Sequence, residues 1–150
     1  MKSFEQLVNE SLEIDSSGVY EDDVKIADLE IDEMPNVTKQ EVMSYFEEDR
    51  SSQTDPVLKY ISSLKLPKTF IYVWIQFIKL SPKQRGKGKG SEIINTLAMN
   101  YPPGTLMALS AEEVSTGKTA SSLALVKKFY KQNGFTLVHS QGKVFGFRVV

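Results

Sequence analysis

The sequence has no cysteine and a single histidine, His139. Without thiols there can be neither a disulfide nor a thiolate-held metal. One histidine excludes a multi-histidine metal centre within one chain. No apolar run approaches the ~20 residues that a membrane-spanning helix needs. The stretch Met1 to Asp15 is acidic and lacks the apolar segment of a secretory leader, so a cytoplasmic location is the expectation. Glycine is sparse, with nine in all, yet three of them fall at 86, 88 and 90.

Net charge is also nearly absent, at −1 over 150 residues, but its distribution is uneven. Up to Asp55 there are sixteen acidic residues against four basic ones, and from Pro56 onward three acidic against fourteen basic. Such halves attract each other, and each suits a ligand of opposite charge. An anionic cofactor on the basic half and a cationic acceptor on the acidic half is the sharper reading; solvated faces are the plainer one. The length fits one domain, and the 41% apolar share supports a real core.

Phe4, Leu7, Val8 and Leu12 have helical spacing, which predicts a helix over Ser3 to Leu12. Asp15 to Gly18 reads as a turn. Val24 to Ile31 alternates weakly as a strand, and Pro35 with Asn36 should end it. Thr38 and Glu41 form a capping-box pattern for a helix through about Asp49. Pro56 suits the first turn of a short helix to Leu64. Thr69 to Leu80 is almost continuously β-branched and aromatic, as in a central strand buried on both faces. A helix from about Gly88 to Met99 follows, then a strand over Thr105 to Ser110. Glu112 to Ala120 reads as a polar loop, and Ser121 or Ser122 can cap a helix to about Gln132, stopped by Gly134. Phe135 to His139 and Val144 to Val149 flank Gln141-Gly142 as a hairpin. The order from Thr69 is strand, helix, strand, helix, strand, strand. It implies an α/β crossover on a mixed sheet with an antiparallel end.

The stretch Ser81-Pro82-Lys83-Gln84-Arg85-Gly86-Lys87-Gly88-Lys89-Gly90-Ser91 carries the chemistry. Alternate glycines leave backbone N–H groups unobstructed, and a helix begins at once. Its first turn has N–H groups without intrahelical partners and a partial positive charge, which suits a phosphate or pyrophosphate. Lys83, Arg85, Lys87 and Lys89 add positive charge. The spacing is neither the Rossmann fingerprint nor a P-loop; Gly117-Lys118-Thr119 fails the latter because position 112 is Glu. A flexible basic turn, or a nucleic-acid contact loop, is the alternative.

At Arg85-x-x-Gly88-x-Gly90 the sequence resembles the GNAT superfamily of N-acetyltransferases. A second block, Phe129-Tyr130-Lys131-Gln132-Asn133-Gly134-Phe135, resembles that family's aromatic-Tyr-x-x-x-Gly-Phe motif. The resemblance covers about Thr69 to Phe147. It implies an acyl-CoA N-acyltransferase fold, α/β with a mixed central sheet flanked by helices, within one domain whose residues 1–68 are a divergent acidic part on the acceptor side. It implies that the backbone of Ile78, Lys79 and Leu80 pairs with pantetheine. The turn Arg85, Gly86, Lys87, Gly88, Lys89, Gly90 and Ser91 then holds the pyrophosphate of acetyl-CoA, with no metal. Tyr130 is the implied donor of a proton to the CoA sulfur. The resemblance also places Trp74 where many members have a basic glutamate, and no early hairpin is visible in residues 1–68.

Glu112 and Glu113, past the end of the second strand, are candidates to deprotonate the acceptor; solvated loop carboxylates are the equal alternative. Ser110 and Ser122 are candidate polar contacts, Ser122 to CoA. His139, Trp74 and Phe77 read as surface or core residues. The expected activity is transfer of an acetyl group from acetyl-CoA to a primary amine of a protein, a polyamine or a small molecule. The alternatives are an inactive binding module of the same fold and a nucleic-acid contact. The last lacks a stacking platform with interleaved basic residues. No membrane partner is expected, and an oligomer remains open.

Overall fold

The computed structural model describes residues 12–47, 55–111 and 120–150. The expected helix from Ser3 therefore lies outside the described residues, except for Leu12, which opens a strand instead. The strands are β1 (Leu12–Asp15), β2 (Gly18–Glu21), β3 (Val24–Val37), β4 (Phe70–Leu80), β5 (Leu106–Ser110), β6 (Thr136–Ser140) and β7 (Lys143–Val149). The helices are α1 (Lys39–Glu47), α2 (Pro56–Ser63), α3 (Lys89–Met99) and α4 (Ala120–Gln132). The strands form one seven-stranded sheet in the order β1-β2-β3-β4-β5-β7-β6. All neighbours are antiparallel except β4 and β5, which α3 joins as a parallel crossover. This is the mixed α/β sheet flanked by helices that the sequence predicts.

The acidic first part corrects the sequence reading. It does hold a hairpin, and in fact an antiparallel meander of β1, β2 and β3. The β2–β3 turn is Asp22-Asp23, both with left-handed φ, 51° and 67°. That is the backbone of a tight hairpin turn normally signalled by Asn-Gly. Pro35 and Asn36 do not end β3 either. The strand runs 14 residues through them, and the register to β4 slips between Met34 and Val37, where Asn36 takes φ 56°. A bulge tolerates the missing proline N–H.

The remaining elements follow local rules. Thr38 and Glu41 make the reciprocal capping box that opens α1: Thr38 N donates to Glu41 Oε1 and Glu41 N to Thr38 Oγ1, each at 3.2 Å. Asp55 Oδ1 accepts from Val57 N at 2.8 Å and caps α2, with Pro56 in its first turn. Its Oδ2 accepts from Ser140 Oγ at 2.6 Å, which ties α2 to the β6–β7 turn. Asp55 and Ser140 are both buried.

Two cores sandwich the sheet. On one face Ile93, Ile94, Leu97 and Tyr130, from α3 and α4, pack on Leu29, Val73, Ile75, Met107 and Leu109. On the other, Val42, Phe46, Val57, Leu58 and Ile61, from α1 and α2, pack on Tyr72, Leu106, Ala108, Phe145 and Phe147. Alternate β4 and β5 residues thus point into different cores, which explains the continuous apolar runs. No helix among the described residues is long and apolar enough to cross a membrane.

Candidate functional site

The two edges of β4 are treated differently. Toward β3 it is paired from Phe70 to Leu80. Toward β5 it is paired only from Tyr72 to Ile75, opposite Leu106 to Leu109. Beyond Ile75, β4 runs on from Gln76 to Leu80 with no strand beside it on that edge among the described residues. Backbone groups of a strand alternate between its two edges, so this stretch carries polar groups without a ladder partner. The divergence begins at a bulge: Ile31 pairs with Ile75 and Glu30 with Phe77, leaving Gln76 as the extra residue. Gln76 Nε2 donates to Asp32 Oδ2 of β3 at 2.6 Å. Ile78 and Leu80 pack against the α3–α4 core and Lys79 is exposed.

The open edge leads into the glycine turn. Ser81 N donates to Ile26 O at 2.9 Å, which pins the turn to β3, and Pro82–Gln84 form one 3-10 turn. Beside it a shallow cleft of about 250 Å³ is lined by Lys25, Asp28, Lys79, Leu80 and Pro82, among others. Gly86 and Gly88 have φ of 77° and 73°, and a Cβ at either would meet nothing within 4 Å. Glycine is there for its left-handed backbone, and the space above it is open. Gly88 is the N-cap of α3 and supplies no side-chain acceptor, so no cap side chain satisfies the first-turn N–H groups. Lys83, Arg85 and Lys87 are exposed around it, and Ser91 is half-buried in the first turn of α3.

Two members of the motif have other contacts. Lys89 Nζ is ion-paired with Glu21 Oε2 of β2 and, at 3.2 Å, with Glu92 Oε2. The hydrogen bond to Glu21 raises its pKa above the usual lysine value. A Cβ on Gly90 would sit 2.9 Å from Phe129 Cζ, so Gly90 lets the α4 aromatic lie against α3. The sequence signal for a phosphate turn and the demand for close helix packing coincide at this residue.

Tyr130 is 4% exposed and stacks edge-on with Phe129 and Phe135, centroids 5.0 and 5.4 Å away. Burial pushes its phenol pKa up, so the hydroxyl stays protonated near neutrality. Ser122 lies in α4, but its side chain is outside the described residues, as are Glu112 and Glu113 entirely. Ser110 is buried at the end of β5 opposite Phe145, and His139 is exposed on β6. Trp74 packs edge-on against Phe46 of α1, centroids 6.2 Å apart. No group of three or more histidine or carboxylate side chains among the described residues is arranged to hold a metal. The sequence reading missed the Asp32–Gln76 contact and the Glu21–Lys89 pair. Their partners stand 44 and 68 positions apart, beyond any local signal.

No family model matches the sequence, and no curated protein is similar to it in sequence. A solved structure from Bacteroides thetaiotaomicron, provisionally described as an acetyltransferase from the GNAT family, is similar at 14% identity and a TM-score of 0.39. The match covers 79% of this chain and 87% of that one.

Proposed function

We propose that the protein is an acetyl-CoA-dependent N-acetyltransferase acting on a primary amine by direct attack in a ternary complex. The observation that carries this reading is the open edge of β4 running directly into an uncapped, glycine-lined helix start. An extended amide-bearing chain ending in a pyrophosphate matches that sequence of features. The backbone groups of the Ile78, Lys79 and Leu80 stretch that face the open edge, away from β3, serve the pantetheine amides. The N–H groups of Gly86 to Ser91 serve the pyrophosphate, and the open Cβ positions at Gly86 and Gly88 leave it room. Lys83, Arg85 and Lys87 offset its charge, whereas Lys89 is shared with Glu21 and Glu92.

The protein's part in catalysis is to hold the thioester beside the amine, to offer N–H groups to the thioester oxygen, and to manage protons. Tyr130, kept protonated by burial, donates a hydrogen bond to the departing sulfur. The exposed acidic side chains of β3 suit a cationic acceptor, whether a protein lysine, a polyamine or a small amine. A cytoplasmic location fits a reaction that draws on acetyl-CoA. Trp74, packed on Phe46 in place of a carboxylate, favours a second reading in which CoA is bound without turnover.

Thermal melting with and without acetyl-CoA tests the first step, because a ligand that binds only the folded state raises the midpoint. The expected result is a shift larger than that from equal ATP. No shift at millimolar acetyl-CoA would refute the proposal. Thiol release on adding an amine separates turnover from binding alone.

A further inference from the structure

Resting on that reading, we infer that Asp32 of β3, oriented by Gln76, accepts the proton of the incoming ammonium. A free alkylamine has a pKa near 10, so only about one molecule in a thousand is nucleophilic at pH 7. A carboxylate within reach of the bound ammonium therefore speeds the reaction by taking its proton. Asp32 pairs in register with Trp74, and residues paired across antiparallel strands share a face. Trp74 packs with the α1–α2 core, so Asp32 stands on the α1 side of the sheet, opposite α3. Gln76, the bulged residue at which β4 and β5 part, donates to Asp32 Oδ2 at 2.6 Å. An amide N–H can only donate, which fixes the carboxylate and leaves Oδ1 without a partner among the described residues. Asp32 is exposed, so an amine can reach it.

The proton balance is simple. The ammonium gives one proton to the Asp32 carboxylate, and the amine nitrogen bonds to the acetyl carbon as the carbon–sulfur bond breaks. The second N–H proton ends on the thiolate, giving CoA thiol, and Asp32 returns its proton to solvent. The charged or titratable groups nearest Asp32 in the pairing are Glu30 and Asp28 on its own strand, Lys79 and Tyr72 on β4, and Tyr45, which stacks on Tyr72 from α1.

The test compares the full chain with Asp32→Asn and Gln76→Ala. Melting with acetyl-CoA is measured first, then thiol release with spermidine and with a lysine peptide from pH 7 to 10. Asp32→Asn should keep the acetyl-CoA shift and lose about 10²- to 10⁴-fold in kcat at pH 7. Most of that loss should vanish toward pH 10, where free amine replaces the missing base; a structural defect would not recover. Gln76→Ala should show a smaller loss with the same recovery. Wild-type rates in Asp32→Asn, or equal losses at both ends of the pH range, would overturn the inference. So would thiol release from neither amine by a protein that binds acetyl-CoA. An absent acetyl-CoA shift in the unmodified chain would instead overturn the acetyltransferase reading beneath it.

Discussion

The two edges of β4 belong to one strand, yet one is sealed and the other open. Toward β3 its pairing continues to Leu80; toward β5 it stops at Ile75. The sealed edge lies over Ala27, Leu29 and Ile31, which pack into the α3–α4 core. Beyond Leu80 the chain passes into the turn of Gly86 and Gly88, where a Cβ would meet nothing within 4 Å. One side of these eleven residues is thus committed to the sheet, while the other, past Ile75, is left free in the proposed function for the cofactor.

Breaking the open side should give the largest change in binding. Gly88→Glu places a carboxylate at the cap of α3, where a pyrophosphate would sit. It should shrink the acetyl-CoA melting shift sharply, since a charge at a helix start is worth up to about 2 kcal/mol, or roughly 30-fold in affinity, before any steric clash with the pyrophosphate. The left-handed φ adds about 1–2 kcal/mol of folding cost, so circular dichroism should still show the native fold. Breaking the sealed side should do the reverse. Leu29→Ala opens a cavity in the α3–α4 core and should cost about 2–5 kcal/mol in denaturant unfolding, with the acetyl-CoA shift retained. If Leu29→Ala removed binding as well, the two edges would not be separable.

The smallest effect sharpens the comparison at its margin. Asp15 closes the β1–β2 turn, accepting from Ser17 N at 2.8 Å and Ser17 Oγ at 2.7 Å. The Ser17 hydroxyl is the main cause that holds its carboxyl pKa below the usual value. Its contribution is therefore full above about pH 4, the unfolded value, and is lost as pH falls through the lower folded value. Asp15→Asn should flatten the acid limb of a stability–pH curve slightly and leave the region above pH 5 parallel to the wild type.

Much of the chain from Thr69 onward was legible because its signals are local. β4 is a run of β-branched and aromatic residues, the turn is a cluster of glycines before a helix, and Gly134 follows the end of α4. The capping box and Pro56 were equally readable. The meander in the acidic part was not, because Asp22 and Asp23 hold left-handed backbone that a sequence normally signals with glycine. Pro35 misled for the same kind of reason: proline argues against a strand unless a bulge absorbs it, and a bulge depends on the partner strand. The divergence of β4 from β5 is likewise invisible in either strand alone.

The bulge at Gln76 acts on the strand as a frameshift acts on a message. Upstream the odd positions Ile71, Val73 and Ile75 meet the α3–α4 core; downstream the even positions Ile78 and Leu80 do. One inserted residue changes the phase. Deleting Gln76 would straighten β4 and force a choice: either Ile78 and Leu80 turn outward and Lys79 inward, or the upstream half inverts. The phase in which the first half of β4 is written is therefore not the phase in which its second half makes sense.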